Sequence, residues 1–331
     1  MPEKFFLPWE EIVGNEKTVS RLRSLARSNR LPHAMLFRGM KGVGKMAVAR
    51  TLAASLLCKD NNDKPCMDCE SCKVFANGVH PDYSEILPEG NVLKTIKIDV
   101  VREMQAVVSK IPTLSDKKVV VIDDADKMTE AAENSLLKTL EEPGNVFFIL
   151  VTAERSALLD TIVSRCMDVP FGGIGYKQLA SAIENRNVPK AEASELASLS
   201  GGSLGYAISL HENGGLAFRN EALSWLMRLP SFRCIDAFDE AGKLEKASRE
   251  ELSERLAQLG TLLRDILAIR EGAENCILYN KDVSAQLSSL PYDKEKAVAL
   301  LVLLADAQHR LQASVNQRLL LEGFFFRAMR V

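Results

Sequence analysis

The chain has 331 residues, 47% hydrophobic and 26% charged, with a formal net charge of −2. This is ordinary composition for a globular protein of two or three domains. No stretch approaches the roughly 20 apolar residues of a membrane span. The opening MPEKFFLPWEE lacks the basic-then-apolar order of an export signal, so a cytoplasmic protein without membrane contact is expected. A protein that grips nucleic acid over a broad face is usually basic, so any DNA contact here is local or belongs to a larger assembly; composition alone neither supports nor excludes a nucleic-acid role.

In chain order, Leu31–Gly39 predicts a strand running into a glycine turn, and Lys45–Leu57 a helix. Lys117–Asp126 (KKVVVIDDAD) is too apolar to face water and belongs mid-sheet, as does Asn145–Thr152; Cys166–Phe171 is a short last strand. Helical stretches between them make βαβ units of a parallel sheet. After Gly172 the strand patterns stop. Two short helices are expected over Tyr176–Leu199, then a Gly201-Gly202 turn, a helix over Tyr206–His211 and a hinge at Glu212–Gly215. Long amphipathic helices follow, among them Arg249–Glu271 and Lys294–Leu311. The expected division is an α/β core over 1–171, a small helical part over 172–214 and an all-helical part over 215–331.

GMKGVGKM (Gly39–Met46) fits most of the P-loop pattern. Gly39, Gly42 and Gly44 let backbone N–H groups converge on phosphate at a helix start, and Lys45 adds charge. The pattern normally ends in Ser or Thr, whose hydroxyl helps hold Mg²⁺; Met46 offers only a thioether. Asp123 ends a buried strand, where a carboxylate can order the Mg²⁺ shell. Asp124 stands where a Glu commonly serves as general base, one methylene short. Asp126 is expected to cap the following helix. Thr152 ends its strand where a hydroxyl can reach a terminal phosphate or water. Two readings stay open: a cradle that binds ATP or ADP without turning it over, and a vestigial loop.

Four of seven cysteines lie as Cys58-x7-Cys66-x2-Cys69-x2-Cys72. Two-residue spacers let neighbouring thiolates face one ion, and four thiolates close a tetrahedral, structural Zn²⁺ site. His80 is near enough to compete, but His80-Pro81-Asp82 is better placed as the return from a small lobe to the core.

These strings, with WEEIVGNEKTVSRL, GVHPDY, NSLLKTLEEP (Asn134–Pro143) and Ser164-Arg165-Cys166, resemble the clamp-loader branch of the AAA+ ATPases, specifically subunits of bacterial DNA polymerase III. The match is close over about the first 210 residues. Within that family, Met46, Asp124, the HPDY string with Thr95–Met104, and the missing arginine near Gly205 are more similar to the delta prime group than to the gamma/tau motor subunits. The alternative is an active gamma/tau-type motor. The resemblance implies an AAA+ core with an inserted zinc module, a helical lid and a C-terminal collar, whose last helix is Asn316–Phe326. It implies partners in motor (gamma/tau) and delta subunits, and through the complex the sliding clamp and primed DNA. It also implies that Arg165 acts in trans, as an arginine finger at a neighbouring subunit's nucleotide.

Overall fold

The computed structural model describes residues 5–60, 64–90, 94–212, 215–272, 278–312 and 315–331. The chain forms two compact units, one of residues 1–179 with 202–205, the other of 180–201 with 206–331. Asn213 and Gly214 of the expected hinge, and Cys276, lie outside the described residues.

The first unit holds a five-stranded, all-parallel sheet of β1 (Ala34–Arg38), β2 (Tyr83–Ile86), β3 (Lys118–Ile122), β4 (Val146–Thr152) and β5 (Met167–Pro170), in the order β2-β3-β4-β1-β5. Alternation decides what each face meets. Met35, Phe37, Val119, Val121, Ile149 and Val151 pack beneath α1 (Glu16–Arg27) and α2 (Lys45–Leu57). Leu36, Val120, Ile122, Phe148 and Leu150 face the opposite way, onto α4 (Ile98–Val108) and α5 (Glu130–Glu141). Two covered faces explain why β3 and β4 are continuous apolar runs.

The predicted strands are observed with shorter ends. β3 stops at Ile122 because the chain turns there: Asp124 is in the left-handed region at φ 43°. The sheet gains a strand the patterns did not predict, β2, whose Tyr-Ser-Glu-Ile composition carries little strand signal. The short helices α3 (Glu70–Ala76) and α6 (Asp160–Val163) complete this part.

The remaining helices are α7 (Tyr176–Glu184), α8 (Lys190–Leu199), α9 (Leu204–Glu212), α10 (Gly215–Arg228), α11 (Cys234–Lys243), α12 (Arg249–Arg270), α13 (Ser284–Ser289), α14 (Lys294–Gln312) and α15 (Gln317–Ala328). Leu256, Leu259, Leu263 and Ile266 of α12 pack with Leu300 and Leu304 of α14, Phe324 and Phe325 of α15, and Trp225 of α10. Ser248 starts α12 with a capping box: its hydroxyl accepts from Glu251 N–H while the Glu251 carboxylate accepts from Ser248 N–H. Among the described residues no helix is long and apolar enough to cross a membrane.

Candidate functional site

The carboxyl ends of β1, β3 and β4 carry the expected P-loop and acidic residues, the edge at which open α/β sheets place ligands. Gly39 leaves β1 at φ 150°, where a Cβ would lie 2.3 Å from the Phe171 carbonyl oxygen, so only glycine fits. Gly42 and Gly44 also have positive φ, and Gly44 is the N-cap of α2. The loop therefore has its expected turn.

Its lysine bonds within the loop. Lys45 is buried, and its Nζ donates to the carbonyl oxygens of Gly39 at 2.5 Å and Met40 at 2.8 Å. Burial lowers its pKa, with Asp123 and Asp124 pulling it back up. Burial likewise raises the pKa of Asp123, whose carboxylate accepts from Asp124 N–H at 2.9 Å. Asp124 instead pairs with the exposed Lys41 at 2.9 Å.

Gly202–Gly205, at the start of α9, lies against the same loop. Gly205 N–H donates to the Gly42 carbonyl at 2.9 Å, and the Ser203 hydroxyl to the Lys41 carbonyl at 2.9 Å. A Cβ on Gly205 would sit 2.9 Å from Gly42 Cα. Only a residue without a side chain allows this close approach. The Gly-Ser-Leu-Gly string was the available sequence signal, since a glycine opening a helix often marks a close backbone approach.

One expectation about β4 and its neighbours changes. Asp126 does not cap α5; Thr129 does, its hydroxyl accepting from Ala132 N–H. Asp126 accepts instead from the Thr152 hydroxyl at 2.7 Å and from Ala153 N–H at 3.3 Å. Tertiary pairing with β4 thus takes the carboxylate that local sequence would have given to the helix.

Cys58, Cys66, Cys69 and Cys72 come together, their sulfur atoms all within 4.8 Å of one another. Cys58 follows the last residue of α2, and Cys69 is the N-cap of α3. Backbone N–H groups of Cys66, Cys69 and Cys72 donate to the sulfurs of Cys58, Cys66 and Cys69 at 3.3–3.4 Å. Burial raises the thiols of Cys58 and Cys72. For Cys69 burial acts the same way but is overcome, chiefly by N–H donors, and the thiol falls to about 7. Four close thiolates repel one another, so their common ionised state needs a cation among them. The donor set fits a metal ion. His80 is elsewhere: its Nε2 bonds the Ser71 hydroxyl at 2.9 Å.

Residues 14–174 match the family model described as DNA polymerase III, delta subunit. DNA polymerase III subunit delta' of Bacillus subtilis (strain 168) is 31% identical over 325 residues, 96% of this chain and 97% of that protein. This chain belongs to the DNA polymerase III delta' family. The delta' subunit of Escherichia coli (strain K12) is 33% identical over 265 residues, covering 78% of this chain and 76% of that one. The tau subunit of Bacillus subtilis is 29% identical over 291 residues, covering 85% of this chain but only half of its own length. The resemblance carried by the P-loop, the cysteines, NSLLKTLEEP and Ser164-Arg165-Cys166 is thereby borne out at the level of the family.

In this delta' family member Arg165 follows α6 and is held on two sides. Nε donates to Glu141 Oε1 at 3.0 Å, Nη2 donates to the same oxygen, and Nη1 donates to the Thr161 carbonyl at 2.9 Å. Its side chain remains about a third exposed. Glu141, inside NSLLKTLEEP, is the partner that sequence reading did not single out.

Proposed function

We propose that this chain is a delta prime subunit of a DNA polymerase III clamp loader, a ring member that does not itself hydrolyse ATP. On this reading it works with gamma/tau motor and delta subunits to place a sliding clamp on primed DNA. The observation that carries the non-hydrolysing role is the make-up of the P-loop: Met46 stands in place of a hydroxyl, and Gly205 N–H is bonded to Gly42. Residues 172–214 serve as lid and 215–331 as collar, the division expected from sequence. Gly39, Gly42, Gly44, Lys45, Asp123 and Thr152 are then the remains of an ATP or ADP site. Turnover on this chain lacks two parts, a hydroxyl to help hold Mg²⁺ and an arginine from the lid.

Cys58, Cys66, Cys69 and Cys72 hold one structural Zn²⁺ in this proposal, supported by the sulfur clustering and the N–H donors around it. The ion supplies a cross-link and leaves no open position for chemistry.

Arg165 acts on a neighbour's nucleotide, where a planar guanidinium neutralises charge developing on the transferring phosphoryl group. Loss of such a residue costs about 10³-fold or more at the affected site. The test is a complex reconstituted from this chain with its motor and delta subunits, assayed for clamp- and DNA-stimulated ATP hydrolysis. Arg165→Ala should depress the stimulated rate with assembly intact, and Arg165→Lys should not rescue it, because a compact ammonium lacks the fork. A normal rate from an assembled Arg165→Ala complex would remove the trans role.

A further inference from the structure

We propose that Glu141 is the positioning residue for Arg165, holding the guanidinium so that its remaining N–H groups stay presented. This inference rests on the reading of Arg165 as a group acting in trans. A guanidinium has five N–H donors in a rigid planar fork. In this chain the edge formed by Nε and Nη2 is taken by Glu141 Oε1, and Nη1 turns one N–H back to the Thr161 carbonyl. Each Nη keeps one further N–H, available to an oxygen of an incoming phosphate. Glu141 therefore takes the side of the fork and does not compete for its end.

The placement comes from the fold. Glu141 is the last residue of α5 and Arg165 lies just beyond α6, 24 residues on. The Thr161 carbonyl belongs to α6 itself, so two different helices fix the plane of the guanidinium. An arginine at the surface normally samples many rotamers, and each productive contact must then pay for ordering it. Here the ordering is done before a partner arrives, which is the condition for effective charge stabilisation in a transition state. Both side chains are substantially exposed, at 35% and 50%, and an exposed pair adds little to fold stability. Removing Glu141 should therefore release Arg165 without unfolding the chain.

The experiment uses the reconstituted complex with clamp and primed DNA, measuring kcat and KM for ATP. The variants are Glu141→Ala, Glu141→Gln, Arg165→Ala and the Glu141→Ala/Arg165→Ala double. Glu141→Ala is expected to remove at least half of the turnover that Arg165→Ala removes, in kcat, with KM unchanged. Glu141→Gln keeps an acceptor oxygen for Nε and Nη2 and should recover most of that loss. The double variant should be no slower than Arg165→Ala alone, because Glu141 works only through the arginine. Wild-type kcat in Glu141→Ala, or a rise in it, beside a depressed Arg165→Ala would overturn this inference and leave the trans role standing. A double variant clearly slower than Arg165→Ala would overturn it too. An unaffected Arg165→Ala would overturn both. Should Glu141→Ala fail to assemble, Glu141→Leu, which also lacks an acceptor for Nε and Nη2, takes its place and is judged by the same outcomes.

Discussion

Asp82 shows how much a single buried carboxylate can organise. It is 2% exposed and accepts from the backbone N–H groups of Thr113 at 2.6 Å, Leu114 at 2.7 Å and Ser115 at 2.8 Å. Its own N–H donates to His80 Nδ1 at 3.1 Å, which places the imidazole proton on Nε2, facing the Ser71 hydroxyl. Burial would raise the Asp82 pKa, but the three N–H donors outweigh it and hold the carboxyl below its usual range. A depressed folded pKa means a contribution complete above the unfolded value and lost as pH falls through the folded one. Asp82→Asn turns an amide N–H toward at least one of these donors and should cost about 2 kcal/mol or more in urea unfolding at neutral pH. The stability difference from wild type should shrink below about pH 4, where the unfolded carboxyl is protonated. A difference that is constant from pH 7 to pH 3 would show that the ionised carboxylate is not the source.

Among elements, α2 links the P-loop to the cysteine lobe. Its start is set by Gly44, and near its end the Leu57 carbonyl accepts from the Ser71 hydroxyl at 2.7 Å and the Ser115 hydroxyl at 2.9 Å. These hydroxyls satisfy a carbonyl that a helix end otherwise leaves orphaned. Cys58 comes next, so the cysteine cluster begins where the helix stops. Cys69 has two roles, thiol of the cluster and cap of α3 through Cys72 N–H. Cys69→Ser separates them, because serine is a good N-cap but a poor replacement for thiolate at zinc. Untagged protein should contain about one Zn²⁺ per chain, as a four-thiolate tetrahedral site requires. Cys69→Ser should lower both the zinc content and the melting temperature despite its preserved cap. Metal-free wild type with an undiminished melting temperature would dispose of the structural zinc.

For the molecule as a whole, the division of labour predicts that ATP hydrolysis belongs to the assembly and not to this chain. Purified alone, the protein should release phosphate from ATP negligibly. Met46→Thr supplies the missing hydroxyl, yet it should not restore turnover. Asp124 remains one methylene short and paired with Lys41, and Gly205 still presents backbone in place of an arginine. Phosphate release by the single variant, abolished by adding Lys45→Ala, would mean that the site is a motor site lacking one ligand.

Sequence alone determined the features that depend on near neighbours. The apolar runs of β3 and β4, the glycines and lysine of the loop, the α2 boundaries and the two-residue cysteine spacers were all legible, because periodicity and spacing act over a few residues. The family was legible for the same reason, in short strings such as NSLLKTLEEP. Partner choice was not. Asp126 goes to Thr152 across 26 residues, and Glu141 to Arg165 across 24. Gly205 meets Gly42 from the far side of the sheet-forming sequence, and β2 joins the sheet on a pairing with β3 and not on its own composition. In each case several polar or small residues had equal local claims. The packing of strands and helices, which no local pattern encodes, settled which of them came within reach.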